Sequence, residues 1–477
     1  MQHLLQAYNY FNGAFQQVDS AQNLSVHDKY SGNLVAEIPI LNEHQAEEVV
    51  DSAVRGFEIW SLSSAAERSR ILNFVAQKLD AESDAFAELI VCEAGKPVQF
   101  ARNEVQRAIQ TLKIAAQEAL RMGGEIVPMD FGNGIGKIAQ TRHFATGPVL
   151  GFSPFNFPLN LAMHKIAPAL AVGCSIVMKA PPQAPLSLLA LCRLFQEAGL
   201  PHGVLNAVIA DDTIAAALVR DERFSVFSFT GSDAVGWYLK SIAGKKKVML
   251  ELGGNAGVFV DESANFNDAA RQIARSAYMY SGQVCIATQR IFVHASVETN
   301  FKTALIKEID LLKNGNPAIE ETINGPLINK KAFERCASWT EEATTAGATV
   351  LAGGKAYDET HCIWEPTLLS DVNETMRVFS DEVFAPIAIL EVVDHFDRGI
   401  DRLNASRFGL QNAVFTTNIE HVKRAFSEVK SGSVLINIAP GFRLDHMPYG
   451  GIKDSGEGLE GVRYAMEMYT NERLLIW

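Results

Sequence analysis

Between residues 148 and 260, short runs rich in β-branched and aromatic residues alternate with helical stretches, at 149–152, 175–179, 206–209, 226–229 and 248–252. Alternation of this kind predicts a parallel sheet wrapped by right-handed crossovers, a doubly wound α/β domain. Past residue 260 the pattern resumes near Ile291, Ile387, Val414 and Val434, with a helix expected over 300–312, so a second α/β domain follows. Upstream, apolar residues recur at helical spacing from 41 to 120, and Asn42 with Gln45 and Ser64 with Glu67 read as helix starts. Gly95 and Pro97 punctuate that region. Residues 123–144 change texture, with short β-prone runs around Gly132, Gly134 and Gly136, and predict a hairpin-like arm. No Pro- or Ser-rich linker parts the two α/β units, which places a site in the cleft between them.

Composition narrows the partners. The 477 residues are 48% hydrophobic and 20% charged, ordinary for a globular chain with ample core. Lys and Arg number 42 against 55 Asp and Glu, a net −13 that repels phosphate backbones and anionic lipid; neither nucleic acid nor membrane is an expected partner. The six cysteines include no CxxC pair and are too sparse for a disulfide scaffold, which fits a reducing, cytoplasmic setting. The first residues do not read as a signal peptide, and the longest apolar run, 167–178, falls short of the ~20 residues that cross a bilayer. The 11 histidines are scattered without an HxxxH or Cys/His cluster, so no metal site is expected.

In open parallel sheets, ligands bind beyond the carboxyl ends of the strands. After the first run stands PFNFP, residues 154–158, where prolines stiffen the backbone around Asn156. An amide held there either donates to a developing oxyanion or closes an Asx-type turn. After the fourth run comes FTGSDAVG, with Thr230, Gly231 and Ser232 before a helix expected from Asp233. It reads as a phosphate-attracting helix start or as a tight turn, and it is not the GxGxxG fingerprint. ELGGN follows the fifth run, and Glu251 leaving an apolar strand is either a base with a raised pKa or an exposed strand-end acid. Cys285 differs from the other cysteines, which read as small buried hydrophobes: it lies in SGQVCIATQR, a polar stretch just before a strand. No His lies within eight residues, so a Cys–His pair would need a distant partner such as His446.

Taken in order, PFNFP, FTGSDAVG, ELGGN, SGQVC, EVFAP and PYGGIKDSG resemble the NAD(P)-dependent aldehyde dehydrogenase superfamily over residues 25–470. GKKKVMLELGGNA, YSGQVCI and FRLDHMPYGGIKDSG resemble its lactaldehyde dehydrogenase-like branch most. The resemblance implies that Cys285 is the nucleophile, that Asn156 and the Cys285 N–H hold the oxyanion, and that Glu251 activates the hydrolytic water. It places Lys179 at the adenine ribose, Thr230, Gly231 and Ser232 at the pyrophosphate, and Glu382 with Phe384 at the nicotinamide end. It also implies a homodimer or homotetramer and a division into residues 1–122 and 145–252 (dinucleotide-binding), 253–445 (catalytic), and 123–144 with 446–477 (oligomerisation arm and carboxyl-terminal segment).

Two positions depart from the family pattern. Pro182 stands where many NAD-preferring members carry a Glu that binds the adenine ribose, which removes both an acceptor and a charge that repels a 2′-phosphate. Asp211 and Asp212 follow the third strand with no Arg nearby, which favours NAD, with NADP still open. Ala385 replaces the usual Gly after Phe384, a methyl expected to tighten the nicotinamide pocket. For the substrate, the resemblance puts Arg107 and Phe157 along the tunnel and Arg443 with His446 at its mouth. Arginines there select a short polar or anionic aldehyde, such as lactaldehyde, glycolaldehyde, succinate semialdehyde or phosphonoacetaldehyde, unless they make structural ion pairs. Competing readings are a coenzyme A-acylating enzyme, against which Glu251 argues, a cysteine hydrolase without cofactor, and a non-catalytic binding protein on the same fold.

Overall fold

The computed structural model describes residues 2–477 apart from Asp19 and Ala21. The five expected runs are all strands: β1 (Val149–Phe152), β2 (Ile176–Lys179), β3 (Leu205–Val208), β4 (Val226–Thr230) and β5 (Lys247–Glu251). They lie parallel in the order β3-β2-β1-β4-β5, so the sheet is doubly wound and its direction of winding reverses at β1. Strand Asn9–Phe11 adds antiparallel beside β3, and Gly456–Glu457 adds antiparallel beside β5. The second parallel set is β6 (Ala256–Val260), β7 (Thr288–His294), β8 (Thr367–Ser370), β9 (Ile387–Val393), β10 (Gln411–Phe415) and β11 (Ser433–Ile436), ordered β8-β9-β7-β6-β10-β11. An antiparallel strand, Thr349–Ala352, borders β8.

The helical region before residue 122 forms as its caps dictate. Asn42 and Gln45 make a reciprocal capping box, Ser64 accepts from the Glu67 N–H, and Gly95 ends its helix in the left-handed region that glycine tolerates. Helix α1 (Val98–Arg121) packs on helix α2 (Asn160–Val172), all of whose residues are buried. The apolar run at 167–178 is therefore the end of a core helix followed by a strand, and among the described residues no helix is long and apolar enough to cross a membrane. Residues 123–144 carry Ile126–Val127 and the start of Ala139–Ala145, which pair with Thr470–Ile476 in a three-stranded antiparallel sheet. Leu474, Leu475, Ile476 and Trp477 stay about half exposed on it.

Candidate active site

Because β1 and β4 are neighbours whose connections leave on opposite sides, a crevice opens beyond their carboxyl ends. A cavity of about 940 Å³ occupies it. Cys285, Glu251 and Asn156 line its inner part, and Lys179, Thr230, Gly231, Ser232, Glu382 and Phe384 line the same space. Two sheets thus contribute to one site.

Cys285 sits in a loop that the sequence bends hard. Tyr280, Ser281 and Gly282 all have left-handed backbone, at φ of 51°, 57° and 66°. Non-glycine residues there cost on the order of 1 kcal/mol each, so neighbouring bonds must hold them. Tyr280 Oη donates to the Ala94 carbonyl, Ser281 Oγ to the Gly325 carbonyl, and Gln283 Oε1 accepts from the Ile328 N–H. The glycines of ELGGN have separate duties: a side chain at Gly254 would lie 2.1 Å from the Cys285 carbonyl oxygen, and one at Gly253 would lie 2.5 Å from Glu382 Oε2. Burial pushes the Cys285 thiol up to about 11, against a hydrogen bond with Tyr449 at 3.4 Å.

Asn156 is not closing a turn of its own. Its Nδ2 donates to the Gln283 carbonyl at 2.9 Å, across the cleft, and leaves its second amide proton free of that bond. Glu251 ends β5 buried, and neither carboxylate oxygen has a hydrogen-bond partner. Burial, then the charge of Glu460, raises it well above the ordinary carboxylate range. Glu460 itself is held down, because Lys165 and Arg443 outweigh its burial. Lys165 Nζ reaches Glu460 Oε1 at 3.0 Å and Thr230 Oγ1 at 2.7 Å, and Arg443 Nη2 reaches Glu460 Oε2 at 2.9 Å.

At the other end, Glu382 accepts from the Gly254 N–H at 2.9 Å and burial pushes it up to about 8. Phe384 packs edge-on to Phe155 at 5.9 Å. Ala385 turns into the core of the second sheet and does not line the cavity, so the expected tightening of the nicotinamide pocket does not occur. Ser232 begins the helix Asp233–Ile242 without a side-chain cap bond, and Ser232 and Asp233 both line the cavity. Among the described residues no group of three or more His, Cys, Asp or Glu is arranged to hold a metal.

Arg107, Phe157, Arg443 and His446 do not line this cavity. Arg107 forks onto Asp445, with Nη2 to Oδ1 at 2.7 Å and Nε to Oδ2 at 3.2 Å. Phe157 lies under Lys96 Nζ, 3.5 Å from its ring centre, and Arg107 stands 5.8 Å from the same ring. Arg443 stacks on Tyr449 at 3.7 Å and keeps a buried Nε without a partner, whereas His446 is exposed on the surface. Sequence reading passed over Lys165, Glu460, Tyr449, His164 and Asp445. One signal was present: His164 and Lys165 are the two ionisable residues of the otherwise apolar α2.

A cysteine, a buried acid and an amide thus line one crevice of a doubly wound sheet, the place where such sheets bind their ligands. Residues 15–475 match the aldehyde dehydrogenase family, and the chain belongs to it. It is 38% identical to the 3-sulfolactaldehyde dehydrogenase of Priestia aryabhattai, over 98% of this chain and 97% of that one. It is 34% identical to the lactaldehyde dehydrogenase of Methanocaldococcus jannaschii, over 95% and 97%, in keeping with the lactaldehyde-like branch. The crystal structure of a glyceraldehyde-3-phosphate dehydrogenase from the same archaeon, complexed with NADP, superposes with a TM-score of 0.92 at 34% identity, over 97% of this chain and 100% of that one. The protein is an NAD(P)-dependent aldehyde dehydrogenase.

Proposed function

We propose that this enzyme oxidises a short polar or anionic aldehyde to its carboxylic acid, with Cys285 as nucleophile and Glu251 as general base. The observation that carries this reading is the convergence of Cys285, Glu251 and Asn156 on a single cavity that runs on to Lys179. In this reading Cys285 reacts as the thiolate, its proton released to solvent, and Sγ adds to the aldehyde carbon as the C=O π bond opens to give a thiohemiacetal oxyanion. That oxyanion takes hydrogen bonds from the Asn156 amide and the Cys285 N–H. A nicotinamide held beside Glu382 and Phe384 would supply the hydride acceptor for that carbon, and Cys285 would be left carrying the thioester. Water then adds to the thioester carbonyl while Glu251 takes its proton; the C–S bond breaks and the acid leaves. Lys165 and Arg443 favour the ionised Glu251 that this step requires, and Glu460 opposes it.

The residues fit a dinucleotide. Gly231 lies so close to Phe229 that a side chain there would come within 2.6 Å of the ring, and the cavity continues past it to Lys179 and Asp212. In the proposed placement Lys179 holds the adenine ribose, Thr230, Gly231 and Ser232 the pyrophosphate, and Glu382 the nicotinamide ribose beside Phe384. Asp211 is spent as a helix cap on the Ile214 N–H, so Asp212 is the acid left to face the ribose. NAD is therefore the preferred cofactor and NADP the weaker one, because a 2′-phosphate would meet the Asp212 charge.

For substrate selection we favour Arg443 over Arg107: both are paired with a carboxylate, Arg443 with Glu460 and Arg107 with Asp445, and neither is among the residues that line the cavity, but of the two only Arg443 keeps an Nε without a partner. A hydroxyl, carboxylate or sulfonate on a short aldehyde suits a guanidinium; Phe157, which packs against Lys96 and Arg107, and exposed His446 are the other proposed substrate residues. The half-exposed apolar end of the chain, Leu474, Leu475, Ile476 and Trp477, supports a homo-oligomer, and six free cysteines suit a cytoplasmic protein. The proposed division of the chain remains 1–122 with 145–252 for the dinucleotide, 253–445 for catalysis, and 123–144 with 446–477 for the arm and carboxyl-terminal segment. The test is formation of reduced nicotinamide over neutral and anionic short aldehydes, with and without coenzyme A, beside Cys285→Ala. Turnover without coenzyme A that vanishes in the variant supports the reading; turnover only with coenzyme A overturns the role of Glu251.

A further inference from the structure

The Cys285 thiol is surrounded by groups of opposing influence. Glu251 at the end of β5 and Glu382 before β9 disfavour its ionisation, whereas Arg443 and Tyr449 from the carboxyl-terminal segment favour it. Of these, Tyr449 alone touches the sulfur, its hydroxyl standing 3.4 Å from Sγ. Its position is fixed from two sides. Backbone bonds tie Tyr449 and Glu460 to each other, and the Arg443 guanidinium, anchored on the Glu460 carboxylate, lies 3.7 Å over the Tyr449 ring. A cation over the ring face draws electron density from the phenol and makes its O–H a stronger donor.

We propose that Tyr449 is a catalytic residue, donating its hydroxyl proton in a hydrogen bond to the Cys285 thiolate and so stabilising the attacking form of the nucleophile. A phenylalanine would fill the same space and keep the stack with Arg443, so the hydroxyl has the distinct function. In a buried pocket the thiolate has few donors to replace water, and a neutral O–H supplies one without a second full charge beside Glu251 and Glu382. As carbon–sulfur bond formation drains charge from sulfur toward the aldehyde oxygen, Asn156 and the Cys285 N–H take over the stabilisation, and the phenol keeps its proton throughout. This proposal rests on Cys285 being the nucleophile.

The experiment compares wild type with Tyr449→Phe by iodoacetamide labelling from about pH 6 to about pH 11, read at the Cys285 peptide by mass spectrometry. Half-buried Cys362 serves as the internal reference, and circular dichroism confirms that both proteins are folded. Loss of the hydroxyl should move the Cys285 labelling profile to higher pH, and at a fixed pH below the transition the rate should slow about tenfold for every pH unit the profile moves. The Cys362 rates should match in the two proteins, and kcat should fall more than KM changes. Identical Cys285 profiles would overturn the proposal. If Cys285→Ala retained turnover, the nucleophile assignment would fail, whatever the labelling showed for Tyr449.

Discussion

Arg107 and Asp445 meet fork to fork, at 2.7 and 3.2 Å, and the same carboxylate takes Nε2 of buried His164 at 2.8 Å and Nδ2 of Asn160 at 3.2 Å. His164 and Arg107 outweigh burial and hold Asp445 well below the usual carboxylate range. One acid thus satisfies three donors from α1 and α2.

That convergence makes Asp445 a stability residue. Asp445→Ala leaves Arg107, Asn160 and His164 without their acceptor, and should cost at least about 2 kcal/mol in urea unfolding, since each buried donor left unpaired costs about 1–3 kcal/mol. Asp445→Asn keeps an acceptor oxygen and should cost less. Equal stability of the Ala and Asn variants would show that the network is not held through this oxygen.

In the proposed reading, discrimination for negative charge rests on Arg443, whose Nη2 is anchored on Glu460 and whose Nε has no partner. Arg443→Ala should raise KM for anionic aldehydes about 10- to 100-fold more than for neutral ones, the equivalent of losing one charge-assisted hydrogen bond. Steady-state kinetics on a sulfonated or carboxylated aldehyde beside glycolaldehyde measures this, and equal effects on both would remove Arg443 from substrate recognition.

Cofactor choice should turn on Asp212. Burial lowers the Lys179 pKa and the charges of Asp212 and Asp211 oppose it, so the lysine and these acids share one field at the outer end of the cavity. Asp212→Ser should tighten binding of NADP, and of the fragment 2′,5′-ADP, by about tenfold or more in calorimetry while NAD changes little or weakens. An unchanged NADP to NAD ratio would place the discriminating contact elsewhere.

Glu251 carries a pH signature. Its pKa is raised in the folded protein by burial and by Glu460, so it binds its proton more tightly there than in the unfolded chain. That contribution is fully present below the ordinary carboxylate pKa of about 4.3 and is lost as pH rises through the folded value, about 1.4 kcal/mol for every pH unit that separates the two. Glu251→Gln has no proton to lose, so it should match wild type near pH 4 and exceed it in Tm near pH 9. A difference in Tm that does not vary with pH would contradict the raised pKa.

The parallel sheets were legible because short β-branched runs bounded by helices have few other solutions, and the strands fall within a residue or so of those runs. Cys285, Glu251 and Asn156, singled out by unusual local sequence, line one cavity. Legibility stopped where partners are distant in the chain: nothing near Arg107 announces Asp445, which is 338 residues away, and nothing near Lys165 announces Glu460, which is 295 away. Ala385 misled for a related reason. Its side chain is read against the cavity only if the backbone direction is known, and here the left-handed φ of 50° falls on Phe384 and the Ala385 methyl faces the core.

The most direct test of the hydrolytic account is stopped-flow formation of reduced nicotinamide by Glu251→Gln without coenzyme A. If Cys285 forms the thioester and Glu251 serves its hydrolysis, the variant should give a burst of about one equivalent per active site, followed by a steady rate slower by about 10²–10⁴-fold. A steady rate equal to that of wild type, with no burst, would contradict it.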